Sequence, residues 1–111
     1  MAWMGTVTLE DFKRLDMRVV KVVEASRIPG KTRVLKVRAD VGGEVREIVV
    51  GGAEHYPPEY FVGRLFIAIV NLEPKQVAGV TSHGMLLAAD HEGRPVWLTV
   101  DGEVPPGTKV R

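Results

Sequence analysis

The chain contains no cysteine, so disulfides, thiolate metal sites and cysteine nucleophiles are excluded, and the composition suits a reducing cytoplasm. Aromatic side chains are also scarce, at 6% of residues, which leaves the core to Val, Leu, Ile and Ala. Long apolar runs are missing. The longest, Leu65 to Val70, falls far short of the ~20 residues a membrane-spanning helix requires. Met1 to Gly5 is too short for a signal peptide and leads into a charged segment, so the expected location is cytoplasmic, away from any membrane. Nor does one sign of charge dominate: the net charge is +1, which alone points to no partner.

What is present is ordinary globular composition, 45% apolar and 26% charged, in a length that suits a single domain over residues 1–111 with no separate catalytic unit. The charges are unevenly spread. Residues 1–38 carry nine Lys or Arg against four Asp or Glu, whereas residues 39–111 carry six against ten. A nearly neutral molecule can therefore still present one basic face, although the same residues also serve simply to solvate a strand.

Thr8-Leu9-Glu10-Asp11 has the form of a helix start, with a hydroxyl to accept from a free N–H and acids in the first turn. A short helix over Leu9 to Arg14 is expected to lay Leu9, Phe12 and Leu15 on the rest of the fold. Met17 to Arg27 is Val-rich and reads as a strand. Leu35 to Val41 alternates strictly, which puts Leu35, Val37, Ala39 and Val41 on a core face. After a turn at Gly42-Gly43 a third strand covers Val45 to Val50, leaving Arg18, Lys21, Arg33, Lys36, Arg38 and Arg46 as candidates for the outer surface. Pro57-Pro58 opens a single helical turn. Arg64 to Val70 is a buried strand, Asn71 to Pro74 a turn, and the segment around Lys75 a polar loop. Strands at Gly84 to Ala89 and Pro95 to Val100 flank a hairpin turn at Asp90 to Arg94, and the chain closes in turns. Many short strands, Gly and Pro between them and one small helix predict a small closed all-β barrel, of OB-fold or SH3-like type.

Catalysis finds little support. Ser82-His83 and Asp90-His91 supply the residue types of a triad, but no nucleophile elbow surrounds Ser82, and His83 as its neighbour in a strand faces the other side. His55, His83 and His91 lack metal-ligand spacing, and Gly51-Gly52 lacks the rest of a phosphate loop. No enzymatic activity, metal or cofactor is expected. RNA asks instead for cations, small polar groups and soft apolar atoms placed together, and Lys75, Ser82 and Met85 offer one of each. The plain alternative packs Met85 in the core and uses Ser82 to cap a backbone group.

A resemblance bears on that choice. Asn71-Leu72, Pro74-Lys75, Gly79-Val80 and Ser82-His83-Gly84-Met85-Leu86-Leu87-Ala88-Ala89 resemble the signature of the tRNA-binding domain. That domain occurs at the C-terminus or as the β subunit of methionyl-tRNA synthetases, in free-standing tRNA-binding dimers, and in a related bacterial secretion chaperone. Glu10-Asp11-Phe12, Leu15 to Val19, Tyr56-Pro57-Pro58-Glu59, Val62-Gly63-Arg64 and Glu103 to Val110 resemble its other motifs, so nearly the whole chain takes part. The resemblance implies a five-stranded OB-fold barrel with a short N-terminal helix, and terminal extensions that form a homodimer. It also implies non-catalytic, structure-specific tRNA binding, as an accessory to a methionyl-tRNA synthetase catalytic chain. Ser82 and Met85 inherit the family's tRNA-binding surface with Asn71 and Lys75 beside them, and Arg18 and Lys21 match basic positions of its first strand. His83 in the same loop, with Arg33 and Lys36 on the strand face, completes the candidate tRNA-binding set.

The chain also departs from the pattern. Val20 stands for a Gly and Gly51 for a Ser, while Glu73, Gln76 and Ala78 occupy positions that are often basic in tRNA-binding members. Fewer phosphate contacts predict weaker and less salt-sensitive binding. Pro74 to Gly79 is similar to the corresponding loop of the secretion chaperone, so the second reading is a chaperone or interaction module for unfolded polypeptides.

Overall fold

Alternation gives the sheet its two faces: Leu35, Val37 and Ala39 are fully buried, and Lys36, Arg38 and Asp40 occupy the other side. The computed structural model describes residues 5–111; the expectation that the first residues form no targeting segment falls largely outside them. In chain order the elements are α1 (Leu9–Lys13), β1 (Met17–Arg27), β2 (Val34–Asp40), β3 (Val45–Gly51), α2 (Pro58–Phe61), β4 (Leu65–Ile69), β5 (Lys75–Val77), β6 (Val80–Ser82), β7 (Met85–Leu86), β8 (Ala88–His91), β9 (Arg94–Trp97) and β10 (Lys109–Val110).

The main sheet runs β3-β2-β1-β4-β7. β1 serves two neighbours in succession, because a bulge between Val22 and Glu24 bends it: Met17 to Lys21 pair with β4, and Lys21 to Arg27 pair with β2. The sheet then curls until its two ends meet. There the His83 N–H donates to the Glu47 carbonyl at 2.9 Å and the Val49 N–H donates to the Ser82 hydroxyl at 3.0 Å. The result is a nearly closed five-stranded antiparallel barrel of the OB type, as the resemblance implied. Val20, Val22, Leu35, Val37, Ile48, Phe66 and Leu86 fill it. α2, started by Pro57 and Pro58, inserts the fully buried Phe61. The few aromatics are gathered rather than scattered: Tyr56, Tyr60, Phe61, Phe66 and Trp97 meet with ring centres 4.7–6.1 Å apart.

Four expectations are corrected. The segment around Lys75 is an ordered hairpin, not an open loop: β5 and β6 pair antiparallel, and Ala78-Gly79 turns between them with φ of 53° and 81°. The strand foreseen over Gly84 to Ala89 is two strands, because Leu87 bonds across to Ile67 and Leu98 and so switches the chain from β4 to β9. The C-terminal segment is not all turns. β10 pairs with Met17 and Arg18, and its approach brings Gly107 so close to Gly42 that a Cβ on Gly42 would lie 2.6 Å from the Gly107 Cα. Finally, α1 buries none of its residues, and Leu9 and Phe12 remain 64% and 41% exposed. Five residues are too short a helix to reach the barrel while its end is pinned to the loop after β4.

Candidate nucleic-acid interface

The β5–β6 hairpin sets Lys75 directly across from Ser82. Lys75 is exposed and, among the described residues, stands in no ion pair. Ser82 is 6% exposed. Its hydroxyl accepts from the Val49 N–H and donates to the Gly84 carbonyl at 3.1 Å, so its hydrogen bonds go to the backbone. Its contribution to the site is to hold the backbone on which His83 and Met85 follow. His83 is exposed and shares a shallow cleft with Arg46, Leu72 and Pro74. Met85, which the plain alternative would bury, is 44% exposed on β7.

Asn71 is equally occupied. Its Oδ1 accepts from the Asp16 N–H at 2.8 Å and its Nδ2 donates to the Arg14 carbonyl at 2.7 Å, which clips the end of α1 to the loop after β4.

The outer basic face is present but largely neutralised. Arg18 lies 2.9 Å from the Asp16 carboxylate, Lys36 3.6 Å from Glu47, Arg38 3.4 Å from Glu24, and Arg46 2.7 Å from Glu44. Arg33 is 3.9 Å from Glu54 and highly exposed. Such exposed pairs are worth about 0–1 kcal/mol each, so phosphate can displace them, but every carboxylate subtracts from the field that attracts it. Lys21 is exposed and, among the described residues, outside any such pair. Arg18 has the further task of reaching the Gly107 carbonyl, while Lys109 joins the same Asp16 oxygen at 3.2 Å. The hydrogen bond from Arg18 outweighs partial burial and holds the Asp16 carboxyl below its ordinary range. Arg18 is raised in turn by the same bond.

Of the residues the sequence singled out, the structure brings Lys75, His83 and Met85 together around the hairpin. The Ser82 hydroxyl caps backbone groups, as the plain alternative had it, and the exposed Asn71 amide is taken up by the chain after α1. Arg64 and Arg94, which lie over the rings of Tyr60 and Tyr56, were not among those candidates. The spacing of Tyr60 and Arg64, four apart, was a local signal for the first pair, whereas nothing local signals the second, since Arg94 arrives from a hairpin far along the chain. Among the described residues no group of three or more His, Asp or Glu is placed to hold a metal ion, and no helix is long and apolar enough to cross a membrane.

The methionine-tRNA ligase of Thermotoga maritima is 45% identical over 106 residues, 96% of this chain and 17% of that protein. The chain spans 15–17% of the length of the curated relatives it matches. Among solved structures, the MetRS related protein from Pyrococcus horikoshii superposes with a TM-score of 0.91 at 38% identity, covering 97% of this chain and 100% of that one. The chaperone CsaA from Bacillus anthracis follows at 0.87 and 30%, covering 96% and 100%. Residues 17–109, which take in the whole barrel, the Lys75 hairpin and β7, match the model of the putative tRNA-binding domain, and the chain belongs to that family.

Proposed function

We propose that this chain is a non-catalytic, cytoplasmic protein that binds tRNA by its folded shape, as a homodimer and as an accessory to a methionyl-tRNA synthetase catalytic chain. The observation that carries the reading is the surface at the base of the β5–β6 hairpin. It sets unpaired Lys75 and exposed Met85 on one rigid support in a chain whose family is defined by tRNA binding. Lys75 and Lys21 serve phosphates, Met85 and His83 serve exposed bases or riboses, and Ser82 and Asn71 position them. Arg18, Arg33 and Lys36 add to binding once phosphate displaces their carboxylates. The exposed apolar face of α1, with Leu9 and Phe12, supports the dimer, because a second copy would cover it. A synthetase gains from such a module through raised local tRNA concentration.

Filter binding of tRNA between 50 and 200 mM salt tests the reading. With so few free cations the expected slope of log K on log salt is only about −2 to −4, and Met85→Ala weakens binding severalfold. Affinity no greater for tRNA than for random duplex RNA would end the proposal.

The chaperone reading also has an observation behind it: the carboxylate-paired strand face and exposed Leu72 and Met85 suit an unfolded polypeptide better than a polyanion, and CsaA is a structural neighbour. Competition between tRNA and a denatured client protein separates the two. Displacement of the client by tRNA at low salt but not at high salt belongs to the RNA reading.

A further inference from the structure

Arg18, Arg33, Arg38 and Arg46 each have a carboxylate beside them; Arg64 and Arg94 have an aromatic ring instead. The Arg64 guanidinium lies 4.2 Å from the centre of the Tyr60 ring, and its Nε donates to the Tyr60 carbonyl at 2.6 Å. Its conformation is therefore fixed while its charge stays free. The Arg94 guanidinium lies 5.5 Å from the Tyr56 ring, and Tyr56 is held in turn by its own hydroxyl, which donates to the Pro95 carbonyl at 2.7 Å. The two tyrosine rings are 4.7 Å apart. This row sets the two guanidiniums within about 15 Å of one another, the span of closely spaced phosphates on one strand. An arginine held over a ring, as Arg64 is by its bond to the Tyr60 carbonyl, loses little freedom on meeting a phosphate.

Next to Arg64 runs an open groove of about 440 Å³, lined by Tyr60, Phe66 and Trp97 together with Asp101 and Glu103. Half-buried Tyr60 and Trp97, with Phe66 buried behind them, give it an aromatic wall that suits a flat ring. Its carboxylates repel phosphate but accept from the exocyclic amine of a base, a group that cytosine and adenine have and uracil lacks. An acidic polypeptide could meet the two arginines, yet it gains nothing from the carboxylates beside them. The patch is also separate from the hairpin surface. Gly52, which follows β3, packs against Pro95 and Tyr56, whereas His83, Leu72 and Pro74 adjoin Val45 to Glu47 at the strand's start, and a strand of this length spans about 20 Å.

We propose that Arg64 and Arg94, backed by Tyr60 and the buried Tyr56, form a second RNA contact, which holds an unpaired stretch with its phosphates on the two guanidiniums and an amine-bearing base in the groove. The inference rests on the tRNA reading for its ligand class, and its test is independent of that reading. Fluorescence anisotropy is measured with unfractionated tRNA and with eight-nucleotide oligo(C) and oligo(U), for wild type, R64Q/R94Q and the carboxylate-paired control R38Q. Removing two phosphate contacts is expected to reduce the salt slope by about 1.5 for R64Q/R94Q and to weaken oligo(C) binding roughly tenfold, erasing its advantage over oligo(U); the control moves the slope by less than about 0.5. R64K/R94K, which keeps the charge and the fold but not the flat fork, retains the slope and still loses roughly fivefold in oligo(C) affinity. The proposal is overturned if R64Q/R94Q behaves like the control, if wild type does not prefer oligo(C), or if polyglutamate displaces oligo(C) as well as oligo(C) itself does. Wild type that prefers oligo(C) but ignores tRNA supports the patch and removes the parent reading.

Discussion

Ser82 satisfies one backbone donor and one backbone acceptor with a single hydroxyl, at the seam where the barrel closes. Ser82→Ala leaves the Val49 N–H and the Gly84 carbonyl without this partner in a partly buried place, and the expected loss is about 1–2 kcal/mol, read as a lower urea midpoint at unchanged m-value. Any loss of tRNA affinity in this variant is then indirect, through displacement of Met85 and His83. Met85→Ala should show the reverse pattern, with little change in the midpoint and weaker binding, because nearly half of that side chain is in solvent. Ala78 offers a gain. It sits at φ 53° in a two-residue turn, a conformation that Asn adopts with less strain, so Ala78→Asn is expected to raise stability by roughly 0.5–1 kcal/mol in the same assay. The motif placed Ser82 in the site, and only the fold shows that it is there as a fastener; the hydroxyl's direction depends on β3, more than thirty positions away.

β10 is held by a junction rather than by length, since it contributes only two residues to the sheet. Asp16 gathers Arg18 and Lys109, and Arg18 reaches on to Gly107. Because the folded Asp16 carboxyl titrates below its unfolded value, the stabilisation from this junction is complete above about pH 4 and is lost as pH falls through the lowered folded value. Urea midpoints of wild type and Asp16→Asn should therefore differ at pH 7 and converge as the pH drops well below 4. Gly42→Ala attacks the same segment by sterics: its Cβ would strike the Gly107 backbone, at a φ of +99° that already disfavours a side chain. The expected outcome is a destabilised protein whose last residues exchange amide hydrogens early. The barrel strands were legible because burial enforces alternation on them. β10 was not, because two residues carry no period and the contacts that create it come from the far end of the chain.

At the scale of the whole molecule, the exposed apolar face of α1 and the exposed basic groups lie on different elements, so a substitution on the helix removes none of the proposed RNA-contacting side chains. The proposed dimer through α1 predicts that wild type sediments as a dimer and a Leu9→Ser, Phe12→Ser variant as a monomer that binds tRNA more weakly by losing the second copy's surface. Composition and motif placed the chain in its family, and charge asymmetry located its cations. What they could not show is how many of those cations are already answered by nearby glutamates, because cross-strand neighbours such as Lys36 and Glu47 are set by register alone. Register, not composition, decides how much of a basic strand is available to a polyanion. The Asn71 clip has one more effect. Its amide grips the end of α1 on one side and begins the segment leading to Lys75 on the other, so the helix cannot tilt without dragging that lysine. Whatever settles on the helix also bears on the hairpin, and an aspartate at position 71, which still accepts from Asp16 but has no N–H to offer Arg14, would loosen that link.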